Sequence, residues 1–316
     1  MKKTFICILS IVFLLVGTLS VMALDDYDKS LSAKEQKIIE VKASEPTFKD
    51  VVDITSLNAQ KEVVFNNLLN CIDYYNTVKG SFETSLIGDT PVAVAYEVDI
   101  PKQISYESVK GSNLDLEIFS HDGTITEVNK IKQNYHEERF IPQYDENTRR
   151  NQTANIYEKV TLQPYYDYEH NDISSQRARK SLSGENEFFY RYDLTNTGYA
   201  SNSIYPQHLV FGFMSELDYW NITAIEEYLN RQVLVVAGET SDLDYAQKLQ
   251  THTFEMCFDL KTGVLLDFKG FSSNGTLQQY LTTTNFSVDV EDEYLKERIS
   301  DKIIYAQSEY IQIERR

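Results

Sequence analysis

The stretch FEMCFDLKTGVLLDFKGFSSNG, residues 254–275, alternates apolar and polar side chains, turns, and alternates again. Phe254, Met256 and Phe258 share one parity, an Asp-x-x-x-Gly turn runs from Asp259 to Gly263, and Val264, Leu266 and Phe268 lead to the Ser-Asn-Gly corner at 273–275. Side chains on a strand point alternately to its two faces, so the pattern predicts two antiparallel strands in series with one apolar face. Glu255, Asp259, Asp267 and Lys269 then occupy the other face, directed at water.

Further strands are predicted on both sides. Before the hairpin come YWNITAIEEYL at 219–229, a corner at Asn230 and RQVLVVAGE at 231–239, and after it TLQQYLTTTNFSVDV at 276–290. Together with 251–259 and 263–271 these make five successive strands, followed by a charged tail from 291 that reads as a helix. An earlier run is just as continuous: SFETSLI at 81–87, a Gly88-Asp89 turn, and PVAVAYEVDI at 91–100, with Val92, Val94, Tyr96, Val98 and Ile100 on one face. KQISYESV, a Gly-Ser-Asn turn at 111–113, LDLEIFS, an Asp122-Gly123 turn and TITEVNKI complete it. Connections this short place sequence neighbours side by side, which is a meander.

Helical spacing is confined to a few places. From Leu57 to Val78 the residues Val64, Leu68, Ile72 and Tyr75 fall on one stripe, with Asn58 as the expected N-cap and Gly80 as the expected stop. YPQHLVFGFMSEL at 205–217 forms a second, shorter helix. Residues 132–202 are rich in Tyr, Asn, Asp, Glu and Arg, lack clean periodicity, and read as an irregular insertion in which EFFYRYD at 187–193 is the one strand. The expected fold class is α+β, mainly β: an antiparallel meander curled into an open half barrel, with a long N-terminal helix on its concave face.

Composition sets the compartment and excludes several function classes. Lys2 and Lys3 precede an apolar run from Phe5 to Val21, and Val-Met-Ala at 21–23 places small residues where a signal peptidase cuts. Residues 1–23 are thus expected to be an export leader, with cleavage and retention as a membrane anchor both open, and the charged residues 24–55 a spacer. The half-barrel domain is expected over 56–290, with 291–316 as a charged C-terminal helix or tail. Losing the leader removes two lysines and no acid, taking the formal charge from −18 to about −20. A surface so acidic repels nucleic acid and anionic lipid, which leaves the leader as the membrane contact.

Cys71 and Cys257 remain in the mature chain, either as a disulfide or as two small buried side chains. No Gly-x-Ser-x-Gly elbow, phosphate-binding glycine loop or His-Glu-x-x-His helix is present, and His121, His136, His170, His208 and His252 stand singly. The expectation is a protein without catalytic residues, metal or cofactor.

The order of these motifs resembles a known family. SFET, YEVDIPKQISYES, IFSHDGTITEV, YPQHLVF, YWNITAIEEYLNRQVLVVAG and FDLKTGVLLDFKGFSSNG are similar, in that sequence, to the bacterial outer-membrane lipoprotein carriers and the related MucB/RseB-type regulators of sigma-factor signalling, the LolA-like half barrels. Asn230 stands where that family carries a glycine before Arg231. The resemblance implies an extracytoplasmic binding protein that carries or senses an acyl chain, a lipid or a lipidated protein in a hydrophobic cavity. Val94, Tyr96, Val98, Phe254, Met256, Phe258, Leu266 and Phe268 would line it, and Trp220 suits either its wall or an ordinary core. The alternative is a closed module in which the concavity is packed shut and the protein engages an envelope protein partner.

Overall fold

Among the residues that the computed structural model describes (38–40, 54–59, 61–87, 90–139, 178–180, 186–188, 193, 195–240 and 244–314), twelve strands share one open sheet. The first six are β1 (Thr77–Thr84), β2 (Val92–Asp99), β3 (Ile104–Gly111), β4 (Leu114–His121), β5 (Thr124–Asn129) and β6 (Asn134–Arg139). The second run is β7 (Trp220–Tyr228), β8 (Arg231–Glu239), β9 (Thr253–Asp259), β10 (Leu265–Phe271) and β11 (Leu277–Val288), and β12 (Ile311–Gln312) closes the chain. Their spatial order is β7-β8-β9-β10-β11-β1-β2-β3-β4-β5-β6-β12, antiparallel throughout except that β12 runs parallel to β6. Each half is a meander, and the halves are joined where β11 pairs with β1, from Leu281 against Thr84 to Val288 against Val78.

By contacts the chain divides into a large unit, Glu40–Glu291 with Leu295–Arg316, and a small one of which Ile38, Ile39 and Asp292–Tyr294 are described. Everything below belongs to the large unit. The leader, most of the spacer, the Gly88-Asp89 turn and most of the insertion lie outside the described residues. No helix among the described residues is long and apolar enough to cross a membrane.

Tight turns fix the registers. Asp122 and Gly123 both have positive φ and join β4 to β5, and Leu229 and Asn230, at φ 51° and 58°, join β7 to β8. Two positive-φ residues in a row make the hairpin turn whose twist matches that of its strands, and asparagine adopts this conformation more readily than most residues. Asn230 therefore does the work of the glycine expected there.

One face of the sheet, here the inner one, carries the apolar parity, and short helices cover it. They are α1 (Ile54–Asn58), α2 (Lys61–Leu69), α3 (Ser201–Ile204), α4 (Gln207–Met214) and α5 (Asp244–Lys248). The single long helix expected over 57–78 is thus two short ones, followed by a 3-10 turn at Cys71–Asp73. Tyr75 and Val78 continue the apolar spacing by coincidence, but Val78 belongs to β1 and faces inward beside Val98. Gly80 lies within β1 rather than capping a helix. Asn58 is no N-cap either: its side-chain amide donates to the Ile222 carbonyl and accepts the Ile222 N–H, both at 2.9 Å, and so occupies the outward edge of β7 as a neighbouring strand would.

The outer face is covered over β2–β4 by α6 (Leu295–Glu309), the helix expected in the tail. Leu295, Ile299 and Ala306 are buried there, but the docking is mainly ionic. Arg298 Nη2 lies 2.5 Å from Glu97 Oε2, Lys302 Nζ lies 2.7 Å from Glu117 Oε1 and 4.8 Å over the Tyr106 ring, and Lys130 holds the other Glu117 oxygen at 3.1 Å. Burial pushes the Glu117 carboxyl up, but Lys302, Lys130 and the Tyr106 hydroxyl more than offset it and hold it below the usual carboxylate range. A depressed carboxyl stabilises the docked state above its ordinary value and stops doing so as pH falls through the folded one. The opening constant of α6, read by amide exchange corrected for the intrinsic rate, should therefore rise below about pH 4, and Glu117→Gln should show the raised value already at neutral pH. Exchange that is unchanged by either would assign the docking to Leu295, Ile299 and Ala306 alone.

Candidate functional site

The nine residues expected to line a cavity all lie on the inner face, and none is more than 2% exposed. Cross-strand registry brings them together: Val236 pairs with Met256, Met256 with Phe268, Phe268 with Leu281, and Leu234 with Phe258. From the other half β2 adds Val94, Tyr96 and Val98, with Phe82 of β1 beside Val94. What fills the space between sheet and helices is aromatic. The Phe213 ring of α4 sits 5.2 Å from Phe254 and 5.1 Å from Phe268, and Phe211 meets Phe65 of α2 edge-on at 6.1 Å. Buried side chains of this size stabilise the fold by about 1.5–3 kcal/mol each.

Trp220 is part of that filling. Its Nε1 donates to the Met214 carbonyl at 2.8 Å, Lys61 stands 5.3 Å over its ring, and Gly238 lies directly opposite, where a Cβ would meet the Trp220 Cβ at 2.7 Å.

Toward β3 the inner face becomes polar, which the strand pattern did not lead us to expect. Ser105 and Glu107 have the inward parity of Val109, and a strap formed by Asp193 and Thr195–Ala200 lies over them. Asp193 organises the strap, accepting the Thr195 N–H at 2.9 Å, the Thr197 N–H at 2.8 Å and both threonine hydroxyls. Two contacts pin it to β3. Ser105 Oγ donates to the Thr195 carbonyl at 2.8 Å, and Glu107 Oε2 accepts the N–H groups of Tyr199 and Ala200 at 2.8 and 3.0 Å. Burial, with Asp193 beside it, raises the Glu107 carboxyl to about 7, although the backbone donors of Ala200, Tyr199 and Gly198 pull the other way.

The strap continues into α3, which is tied to the apolar side. Tyr75 Oη and Cys71 Sγ both donate to the Ile204 carbonyl, at 2.6 and 3.2 Å, and Ser203 Oγ donates to the Leu265 carbonyl at 2.8 Å. Tyr96 reaches from β2 into the same region, its hydroxyl passing over Gly80 and beside Ser203. Glu107, Asp193, Tyr75 and Ser203 were not among the expected site residues. In KQISYESV the alternation of Ile104 and Tyr106 with Ser105 and Glu107 assigns the acid to the polar face, so only the registry with Val94, Tyr96 and Val98 shows that Glu107 points inward.

The opening hairpin's polar face is only half wet. Asp259 is 1% exposed, gripped by Arg231 Nε and Nη2 at 2.5 and 3.0 Å and by the Thr262 N–H and hydroxyl at 3.0 and 2.7 Å. Asp267 is buried too, with Lys269 at 2.8 Å and the Thr282 hydroxyl at 3.0 Å. Both face away from the apolar core as expected, but neighbouring side chains rather than water satisfy them. Glu255, Cys257 and Asp267 bring possible metal-ligand atoms within 4.8 Å of one another. Burial, Asp267 and Glu255 push the Cys257 thiol up to about 12, so it is protonated at neutral pH, and Lys269 already neutralises Asp267. The Lys269 ammonium, 2.8 Å from Asp267, stands where a cation would compete for that carboxylate. Cys71 and Cys257 do not form a disulfide with each other: the first is buried under the helices and the second lies on the outer face of β9.

No family model matches the chain, and no curated protein matches it. Solved structures similar to it include an uncharacterized conserved protein from Thermus thermophilus, at 6% identity and TM-score 0.39 over 81% of this chain and 99% of that one. Another is the complex of Pseudomonas aeruginosa MucA and MucB, at 11% identity and TM-score 0.36 over 76% of this chain; the chain spans 60% of the matched one. A LolA superfamily protein from Nitrosomonas europaea is matched at 9% identity and TM-score 0.20, over 79% of this chain and 97% of that one. MucB and LolA are the grouping the sequence resembles. Likeness this distant says nothing of ligand or partner, so function has to be read from the chain's own residues.

Proposed function

We propose that the protein is an extracytoplasmic, non-enzymatic binding protein whose inner apolar face takes a hydrophobic ligand, an acyl chain or lipidated segment, after displacement of its helical cover. The observation that carries this reading is the mismatch between the face and what covers it. The apolar surface runs from Trp220 on β7 to Val98 on β2, yet among the described residues it is covered by separate helices of four to nine residues, not by a second sheet or one long helix. Helices that short do not hold themselves together in water, so the cover depends on the side chains it drops onto the sheet. Phe65, Phe211 and Phe213 occupy the volume a chain of methylenes would take.

Full burial of all nine lining residues favours a second reading, the closed module that engages an envelope partner by its surface. Fluorescent fatty acids separate the two. On the first reading binding is saturable, and each methylene contributes about 0.8 kcal/mol, so a sixteen-carbon probe should bind about two orders of magnitude tighter than a twelve-carbon one. Folded protein with no saturable binding, and no acyl compound detected by native mass spectrometry, would leave the closed module.

A further inference from the structure

Glu107 is buried in the middle of β3, no cation among the described residues acts on it, and only one of its oxygens is used. Oε2 holds the Tyr199 and Ala200 N–H groups of the strap, the Gly198 N–H also turns toward the carboxyl, and among the described residues Oε1 has no partner of hydrogen-bond geometry at 1% exposure of the residue. Around it stand Asp193 and Tyr199 from the strap, Tyr96 from β2, and Glu127 two strands out on the same face, while Tyr75, after α2, adjoins Asp193, Tyr96 and Tyr205. Each of these ionisable groups is neutral or negative. An ionised Glu107 in the seated strap would be an anion short of one set of donors, facing a second acid, in a site closed to water. Lifting the strap would hydrate both oxygens at the cost of the backbone hydrogen bonds from Gly198, Tyr199 and Ala200 and the Ser105 contact.

We propose that the contact between Glu107 and the strap is a proton-operated latch: the strap stays seated on the inner face while the Glu107 carboxyl is protonated and lifts when it ionises. The direction follows from linkage. A carboxyl at about 7 when seated, against 4.5 in water, binds its proton more tightly in the seated state. The proton therefore favours seating fully at low pH, and that contribution is lost as pH rises through about 7. The latch concerns the strap alone and holds or fails independently of whether the apolar face takes an acyl chain.

Hydrogen exchange of the full chain between pH 5 and 8, corrected for the intrinsic rate, reads the latch at the Tyr199 and Ala200 amides. The expected opening constant of the strap rises by up to about tenfold per pH unit between pH 5 and 7 and then levels, while Val233–Val236 in β8 stay flat. Glu107→Gln, uncharged and of the same shape, should flatten the strap's profile to that of β8. A wild-type strap whose profile parallels β8 overturns the proposal, as does a folded Gln variant that keeps the slope. The wild-type profile decides alone if that variant does not fold.

Discussion

Asp259→Ala lowers the free energy of unfolding by about 3–5 kcal/mol, the cost of breaking a buried pair by removing one partner. Four donors converge on that carboxylate, two from Arg231 and two from Thr262. The turn it holds is tight, with Gly263 at φ +71° and its N–H donated to the Asp259 carbonyl at 2.8 Å. Removing the carboxylate frees the turn and strands the guanidinium beside the Phe286 ring, 5.1 Å away. Urea melts of wild type and variant measure the difference. A loss under about 1 kcal/mol would mean that Arg231 and Asp259 are ordinary surface charges, which their burial argues against.

Gly80→Val has the larger effect and is expected to prevent the native state from forming. A Cβ at position 80 would stand 2.5 Å from the Asn285 carbonyl oxygen and 2.6 Å from the Tyr96 hydroxyl. The first is backbone of the paired strand β11 and the second is the tip of a fully buried ring, so neither can give way freely. Overpacking of this kind costs more than the usual range of about 1–3 kcal/mol when backbone has to move, and about 4–5 kcal/mol is a large part of a domain's stability. Gly80→Val combined with Tyr96→Phe relieves only the hydroxyl contact and should remain unfolded by circular dichroism, because the Asn285 carbonyl stays in the way.

Much of the sheet could be read from the chain because alternation and turn chemistry agreed. Arg231–Glu239 is a strand with the predicted ends, and Asp122-Gly123 is the predicted turn. Where the two signals parted, the reading failed. NYHEER at 134–139 has one buried apolar residue, Tyr135, so β6 was hidden inside the expected insertion. Tyr75 and Val78 kept helical spacing past the end of α2, and Gly80 looked like a helix stop when its purpose is to let Tyr96 pass.

The site divided in the same way. Its apolar side was legible because strand parity alone sorts Phe254, Met256, Phe258 and Phe268 to one face. Neither Glu107 nor Asp193 was legible: Ile104 and Tyr106 give the local alternation the opposite sense, and the role of Asp193 depends on a strap whose seat lies in β3, 90 positions away in the chain by the Ser105–Thr195 bond. Glu97 and Glu117 had the outward parity of solvent-facing acids, and nothing local announces that α6 returns to bury them.

The seam between β11 and β1 also governs when the molecule can come into being. Ser81 Oγ and Thr284 Oγ1 meet there at 2.8 Å across 203 positions of chain. Closing a loop of that length costs about 5 kcal/mol of chain entropy before any contact repays it. β1 to β6 are early and local, but the edge of β1 has no partner until β11 has been made. A chain emerging N-terminus first therefore carries the inner residues Phe82, Val94 and Tyr96 bare through most of its synthesis, and the sheet becomes one body only when nearly the last strand arrives.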